Sequence, residues 1–295
     1  MIHLENEKSY ADIDPLNGAR VVQFGIFSNQ DKKSKEHRLL WDKMQKEDSG
    51  WCHGGIPILF PFAGRVWSSN KQGYYFLNGT EFPMPIHGFV HHKPWEIVEQ
   101  KSSSIEMVFS SSNETRKLYP WEFELRVHWK LKETSLLYYF SIKNKGCLYP
   151  SWIKKEMPFA MGLHPYFQVN SLKEKDLQLL CQPGKQYAVT KEGRVGSLGK
   201  WDPSCSVSKK PSLILQDFHE PYVDMKLNHH PNIRVRIEME NCEQTIILWS
   251  GAKDYLCVEP WMGLPDALQN PKGLVWVKEN EQQTWSGSFC GEVKF

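Results

Sequence analysis

The sequence lacks a dominant charge of either sign. Its 295 residues carry 36 Lys and Arg against 34 Asp and Glu, which gives a formal net charge of +2 at pH 7. This balance provides no broad positive field to attract a nucleic acid or an anionic membrane surface. The sequence therefore predicts a small-molecule partner and neither a nucleic-acid nor a membrane partner.

Long apolar runs and paired cysteines are also missing. No apolar stretch follows Met1, and nowhere do about eighteen apolar residues stand together, so the sequence predicts neither a signal peptide nor a membrane span. The seven cysteines are scattered and never spaced as C-x-x-C, which argues against a disulfide framework or a zinc ribbon. We therefore expect free, mostly buried thiols and a cytoplasmic location.

The pattern that is present is an alternation of apolar and polar residues with period two. Residues 123–131 and 233–239 alternate in this way, which is typical of strands with one buried face. Residues 136–142, 245–249 and 255–258 indicate more buried strands. Asn78-Gly79, after an apolar run, is the dipeptide that type I′ hairpins prefer.

Helical patterns are scarce. Residues 35–46 are the one fair helix candidate, but 39–41 also fit a short strand, which we prefer. The 18 prolines and 20 glycines punctuate turns without the alternation of strands and helices that marks a doubly wound fold. Residues 171–210 are expected to be long connections around short strands. The prediction is an all-β sandwich or barrel that forms a single domain over 1–295.

His164 is the first candidate for chemistry. It lies between Gly162-Leu163 and Pro165-Tyr166-Phe167, so proline holds its backbone extended and aromatic neighbours keep its pKa near or below about 6.5. A histidine in such a place is either a proton carrier or an ordinary core or turn residue. The decision depends on which group stands opposite it.

Glu259 is the second candidate. A buried strand delivers it to a turn before Pro260 and Trp261, and an acid in such apolar surroundings is unfavourable unless it has partners or a function. The alternative is a glutamate in a surface turn. Asp254 or Asp266 could serve as a second carboxylate if the protein were a glycoside hydrolase, which needs two carboxylates about 5 to 9 Å apart.

Arg65 and His87 are candidates for binding. Arg65 ends a charge-free run that begins at Gly54, and its alternative role is a structural ion pair. His87 lies in a Pro-Ile-His-Gly-Phe loop, where it could hold a hydroxyl group. His91 and His92 follow closely, but adjacent residues of a strand point to opposite faces, so we expect no metal site.

One histidine and one glutamate, without a phosphate loop or a nucleophile elbow, can move two protons in opposite directions. Opening a cyclic sugar hemiacetal requires this, because the C1 hydroxyl loses a proton while the ring oxygen gains one. Rotation about C1–C2 and closure of the ring then give the other anomer.

Five motifs follow one another along the chain: GGIPILFP with GR (54–65), HGF with WE (87–96), YPWEF (119–123), GLHPYF (162–167) and EPW (259–261). In their order and spacing the chain resembles the aldose 1-epimerases, or galactose mutarotases, and especially their LacX-like branch.

The resemblance implies a large antiparallel β-sandwich of the galactose mutarotase-like supersandwich type, an open sugar cleft and no cofactor. It implies that Glu259 is the base at the C1 hydroxyl, that His164 is the acid at the ring oxygen, and that His87 and Arg65 orient the sugar. Asp224, in Tyr222-Val223-Asp224, resembles the family's sugar-binding aspartate loosely.

One motif departs from a related branch. Hexose-6-phosphate mutarotases typically have an arginine soon after His-Gly-Phe, where this chain has Val90-His91-His92-Lys93. A hexose-6-phosphate substrate therefore stays an alternative, as does a sugar-binding protein or sensor without catalysis. Trp67, Trp95 and Trp261 are candidates for stacking on a sugar, although tryptophans of a β protein are commonly core residues.

Overall fold

A computed structural model describes residues 1–28, 36–41, 43, 45–46, 51–147, 155–169, 177–180, 182–190, 194–199, 212–227, 232–242 and 244–294. Strands account for 62% of the structure and helices for 4%, which confirms the predicted all-β class. Within the described ranges there is one α-helix, α1 (Asn113–Leu118), and one 3₁₀ turn, Val90–His92. No described helix is long and apolar enough to cross a bilayer.

The first fourteen strands in chain order are β1 (Ile2–Glu5), β2 (Ser9–Asp14), β3 (Arg20–Phe27), β4 (Glu36–Arg38), β5 (Gln45–Lys46), β6 (Cys52–His53), β7 (Ile58–Leu59), β8 (Trp67–Ser68), β9 (Lys71–Gln72), β10 (Tyr74–Leu77), β11 (Thr80–Pro83), β12 (Glu96–Lys101), β13 (Ser104–Ser110) and β14 (Trp121–Lys132).

The remaining strands are β15 (Ser135–Cys147), β16 (Met157–Phe159), β17 (Gly162–Leu163), β18 (Tyr166–Gln168), β19 (Leu177–Leu180), β20 (Pro183–Val189), β21 (Val195–Gly199), β22 (Leu213–Phe218), β23 (Tyr222–Leu227), β24 (Asn232–Glu240), β25 (Thr245–Trp249), β26 (Tyr255–Trp261), β27 (Val275–Val277) and β28 (Gln282–Lys294).

Two large antiparallel sheets form the sandwich. One has the strand order β12-β13-β14-β15-β28-β24-β23-β19, and the other has the order β21-β20-β22-β25-β26-β17-β7, with β18 also paired to β26. Strands β1 to β4 form a smaller sheet. One apolar core draws residues from both large sheets and from the β1–β4 sheet, for example Trp129, Val258 and Leu4. The predicted single domain over 1–295 is compatible with this shared core and stays a prediction.

The predicted strands are present with one exception. β14 alternates buried and partly exposed residues from Trp121, as its period-two pattern requires. Asn78 and Gly79 have φ of 47° and 83°, so the β10–β11 hairpin has the two left-handed residues of a type I′ turn. The described part of residues 35–46 contains β4 and β5 and no helix. The short strand that we preferred at 39–41 was wrong, because these residues lie between the two strands and only Leu40 forms an isolated bridge, to Phe167. Most of residues 171–210 lies outside the described ranges, but β19, β20 and β21 are the short strands expected there.

Two expectations need correction. The thiols are not mostly buried: of the five cysteines in the described ranges, Cys257 is buried, while Cys52, Cys147, Cys242 and Cys290 are half-buried. They lie at strand ends or on faces turned partly to water. Helix α1 was not predicted, because its capping box pairs Ser112 with Thr115 rather than with the more usual Glu or Gln.

Candidate active site

Three paired segments bring His164 and Glu259 together. β26 carries Glu259, and β17 pairs with it through Gly162 and Trp261. His164 follows β17 directly, and its backbone N–H donates to the carbonyl of Pro57 at 3.0 Å. As a result, His164 Nε2 lies 3.5 Å from Glu259 Oε1. The two candidates, 95 positions apart in the chain (259 − 164), face each other.

The alternation of β26 explains which way Glu259 points. Leu256 and Val258 face the main core, so Cys257, Glu259 and Trp261 lie on the opposite face of the sheet. The indole Nε1 of Trp261 donates to Glu259 Oε2 at 3.0 Å. This bond leaves Oε1 as the oxygen directed at His164.

Gly162 allows the indole of Trp261 to pack closely against β17. A Cβ placed at Gly162 would lie 2.6 Å from Cδ1 of Trp261, closer than a methyl group tolerates. Glycine therefore lets the Trp261 ring lie flat against β17, where it can reach Glu259.

Burial sets the electrostatics of the pair, since His164 is 5% and Glu259 1% exposed. Burial raises the pKa of Glu259 well above the usual carboxyl value, and the bond from Trp261 opposes that rise only in part. Burial also lowers the pKa of His164 well below the usual imidazole value, with His87 and His53 adding to the effect. Although the 3.5 Å separation fits an ion pair, the uncharged acid and imidazole are the favoured forms.

His87 lies on the same side of the pair. Its ring centroid is 5.4 Å from that of His164. The backbone N–H of Gly64 donates to His87 Nδ1 at 3.1 Å, so the ring proton of the neutral imidazole is on Nε2. Burial, with the positive charge of Arg65, lowers the pKa of His87 to about 3. His87 is therefore suited to donate a hydrogen bond and unsuited to carry a proton.

Arg65 extends from the loop that holds His87. Its neighbour Gly64 exchanges backbone and side-chain hydrogen bonds with His87, and the Arg65 carbonyl accepts from the N–H of Asp266 at 3.0 Å. The Arg65 side chain is exposed. Its positive charge acts on His87, and its guanidinium donates to the side-chain oxygen of Gln72, from Nε at 3.1 Å.

Trp51 is a site residue that the sequence did not reveal. Its ring centroid lies 4.8 Å from those of His87 and His91 and 5.3 Å from that of His164. Its Nε1 donates to the hydroxyl of Tyr166 at 3.0 Å, and the Tyr166 ring stacks on His164 at 4.7 Å. Trp51 therefore contacts three histidine rings of the candidate site.

Asp224 lies on β23 in the other large sheet. Its carboxylate, 2% exposed, accepts from Nε and Nη2 of Arg236 at 2.9 and 3.1 Å and also from Arg234. Burial alone would raise the pKa of Asp224, but the bonds from the two arginines outweigh it and lower the pKa. The structure thus gives Asp224 an ion-pairing environment of its own, and its sugar-binding role stays a prediction.

The two other carboxylates considered for hydrolysis have structural partners. Asp266 Oδ1 accepts from the backbone N–H of Trp67 at 3.1 Å. Asp254 Oδ2 accepts from Trp41 Nε1 at 2.9 Å and from Lys43 Nζ at 3.1 Å. Among the tryptophans named as stacking candidates, Trp95 packs in the main core, whereas Trp261 contacts Glu259 directly.

His91 and His92 do not point to opposite faces of a strand, so the geometry expected for them was wrong. They lie in a 3₁₀ turn, and their rings contact each other with a centroid distance of 4.7 Å. Within the described part of the chain, the His, Cys, Asp and Glu side chains that come close enough to share a metal ion are His164, Cys257 and Glu259.

Comparison with known proteins identifies the family of the chain. The family model described as "Aldose 1-epimerase" matches residues 1–290. The chain belongs to the aldose 1-epimerase family. It is 26% identical over 290 residues to the protein LacX (chromosomal) of Lactococcus lactis subsp. lactis, with 91% of this chain and 89% of LacX covered.

Solved structures of this epimerase fold are similar over nearly the whole chain. The Slr1438 protein from Synechocystis sp. PCC 6803 has a TM-score of 0.81 at 25% identity, covering 99% of this chain and 96% of its own. A galactose mutarotase-like protein from Lactobacillus casei ATCC 334 has a TM-score of 0.78 at 20% identity, with 99% and 100% covered. These likenesses confirm the predicted antiparallel supersandwich.

Proposed function

We propose that this aldose 1-epimerase family member is a mutarotase that interconverts the α and β anomers of a free aldohexose. Glu259 removes the proton from the C1 hydroxyl, and His164 gives a proton to the ring oxygen. The C1–O5 bond breaks, C1 becomes an aldehyde, and O5 becomes a hydroxyl. Rotation about C1–C2 and the reverse transfers close the ring on the other face. The observation that carries the proposal is the buried His164–Glu259 contact of 3.5 Å.

The proton count of the pair supports this chemistry. A carboxylate with an imidazolium and a carboxylic acid with a neutral imidazole hold the same number of protons. The first form begins ring opening, and the second is what remains when Glu259 has taken one proton and His164 has given one. Burial favours the second form by raising one pKa and lowering the other. The two proton transfers of ring opening are therefore downhill on the enzyme, although the form that begins them is the rarer one.

The neighbouring groups fit an orienting role. In its neutral form His87 can donate a hydrogen bond from Nε2–H, because its Nδ1 accepts from Gly64. The ring lies beside that of His164. Arg65 supplies further donors that suit sugar hydroxyls. Neither group has to change protonation during the reaction, so each can hold the sugar throughout the cycle.

The test is the rate of anomer interconversion in single variants. Glu259→Gln and His164→Asn should each slow equilibration of fresh α-glucose or α-galactose by about two to four orders of magnitude, the usual effect of one positioned proton-transfer group. The control is a second His–Glu pair, since Glu106 and His128 face each other across β13 and β14. Glu106→Gln and His128→Asn should leave the rate unchanged. Parental rates in both Glu259→Gln and His164→Asn would refute the assignment.

A phosphorylated hexose is the second candidate substrate. A protein of Escherichia coli K12 that is named as a candidate glucose-6-phosphate 1-epimerase is 23% identical over 152 residues, covering 46% of this chain and 43% of that protein. The cation that follows the His-Gly-Phe motif here, Lys93, contacts Glu114 at 3.4 Å. A phosphate would have to compete with Glu114 for Lys93, and the lack of an arginine after His-Gly-Phe favours the free sugar. An NMR exchange panel over free and 6-phosphorylated hexoses decides between them, and binding without any acceleration would identify a sugar sensor instead.

Asp224 provides a separate test of the predicted binding set. If Asp224 contacts the sugar, Asp224→Asn raises KM in addition to the stability lost with its arginine pairs. If Asp224 acts only through its two arginines, the same variant loses stability and keeps its KM.

A further inference from the structure

Cys257 stands beside the proposed proton pair and has no part in it. It lies two residues before Glu259 on β26, so both side chains leave the same face of the strand. One ligand atom from each of His164, Cys257 and Glu259 lies within 4.8 Å of the others, and all three side chains are buried. An imidazole, a thiol and a carboxyl group thus converge on one point.

Their spacing is close to that of a tetrahedral metal centre. Bond lengths of about 2.0 to 2.3 Å from zinc to N, O and S put neighbouring ligand atoms about 3.3 to 3.6 Å apart. His164 Nε2 and Glu259 Oε1 are already 3.5 Å apart. Since no ligand atom is more than 4.8 Å from another, closing the remaining gap needs a movement of about 1 Å.

Charge balance also favours such an ion. A thiolate and a carboxylate together neutralise a divalent cation, so the loaded site would carry no net charge in its buried position. The neutral imidazole that burial favours at His164 is the form that ligates a metal. A thiol ligand selects a thiophilic ion such as Zn²⁺ over Mg²⁺ or Ca²⁺, which prefer oxygen.

The surroundings hold the three ligands in position. Trp261 Nε1 donates a hydrogen bond to Glu259 Oε2, so Oε1 is the oxygen that can bind a metal. Tyr166 stacks on the His164 ring and also packs against Cys257. Such outer partners fix ligand orientation in metal sites.

We propose that His164, Cys257 and Glu259 form a binding site for a thiophilic divalent cation, represented by Zn²⁺, that competes with the sugar. The ion would take the proton pair that we propose for mutarotation, so zinc is an inhibitor. The fourth position of the tetrahedron is left for water. The proposal shares two residues with the proposed function but is tested without sugar.

The first test is a titration of the full chain with Co²⁺, followed by displacement with Zn²⁺. A thiolate-to-cobalt charge-transfer band should appear and saturate at one ion per chain. Cys257→Ala should remove the band and weaken Zn²⁺ binding at least about 100-fold, more than the loss of an outer partner causes. Cys290→Ser, at a half-buried thiol on β28, is the matched control and should keep both. Circular dichroism verifies that each variant is folded.

A second measurement does not depend on any variant. Because the thiol and the carboxylic acid must both lose a proton, Zn²⁺ binding to the parent protein in weak buffer should release about two protons per ion. Absence of the cobalt band, parental zinc affinity in Cys257→Ala, or release of no protons would each overturn the proposal. Mutarotation measured in the presence of EDTA keeps the proposed function under separate test.

Discussion

The bond from Trp261 to Glu259 offers a prediction that follows directly from the geometry. Trp261→Phe keeps an aromatic ring against β17 and removes the indole N–H that lies 3.0 Å from Glu259 Oε2. A hydrogen bond to a charged group contributes about 1.5 to 3 kcal/mol, and this one favours the carboxylate over the acid. Its loss should raise the pKa of Glu259, and the lost energy corresponds to about a 10- to 100-fold higher ratio of acid to carboxylate.

Two kinetic effects follow. The form that starts ring opening, carboxylate with imidazolium, becomes about 10- to 100-fold rarer relative to the neutral pair, so the plateau of kcat/KM should fall by that factor. The alkaline limb of the pH profile reflects loss of the last proton of the pair, which creates a carboxylate. Because that carboxylate is destabilised, the limb should move up by about 1 to 2 pH units. Polarimetry or NMR exchange across pH measures both.

The exposed Trp276 supplies the control, since Trp276→Phe changes the same residue type on β27. This variant should keep the parental profile. A folded Trp261→Phe variant could instead keep the plateau of kcat/KM within twofold and the alkaline limb at its parental pH. The indole bond would then not control the pKa of Glu259, and the protonation states proposed for the pair would be wrong.

Three further predictions concern stability, measured by urea unfolding. Gly162→Ala should destabilise by about 1 to 3 kcal/mol because its Cβ meets the Trp261 ring at 2.6 Å, whereas Gly196→Ala, with its nearest atom at 3.7 Å, should not. Burial lowers the pKa of His91 to about 2, so the neutral ring contributes to stability above pH 6.5 and this contribution is lost as the pH falls. The free energy of unfolding should therefore fall by about 2 kcal/mol less between pH 7 and pH 5 in His91→Gln than in the parent protein. Asn144→Ala, which removes a buried amide with three backbone hydrogen bonds, should destabilise by about 2 to 4 kcal/mol.

The fold was readable because strand periodicity is a local property. Residues 123–131 alternate strictly, and the sheet needs only that alternation to bury one face of β14. Asn78-Gly79 likewise fixes its own turn. The order of strands in the sheets could not be read this way, because neighbours such as β15 and β28 are set by packing between distant parts of the chain.

The sequence indicated the members of the candidate site but not their arrangement in space. His164 and Glu259 were found because each is an ionisable group in apolar surroundings, but their 3.5 Å contact depends on the pairing of β17 with β26. No sequence pattern indicated Trp51, because only its contacts with distant rings place it in the candidate site. Cys257 does carry a local signal, since residues i and i+2 of a strand share a face and Glu259 is two positions away.

The two proposals require different protonation states of the same side chains, so the two activities should depend differently on pH. Mutarotation needs the His164–Glu259 pair to keep one proton, which the buried environment favours by raising the pKa of Glu259. Metal binding needs Glu259 and Cys257 both deprotonated, and burial raises the pKa of the thiol as well. Zinc affinity should therefore rise with pH, because each proton lost from a ligand is a proton that the metal no longer has to displace. Inhibition should be weakest on the acid side of the activity profile, where the proton pair is most strongly held.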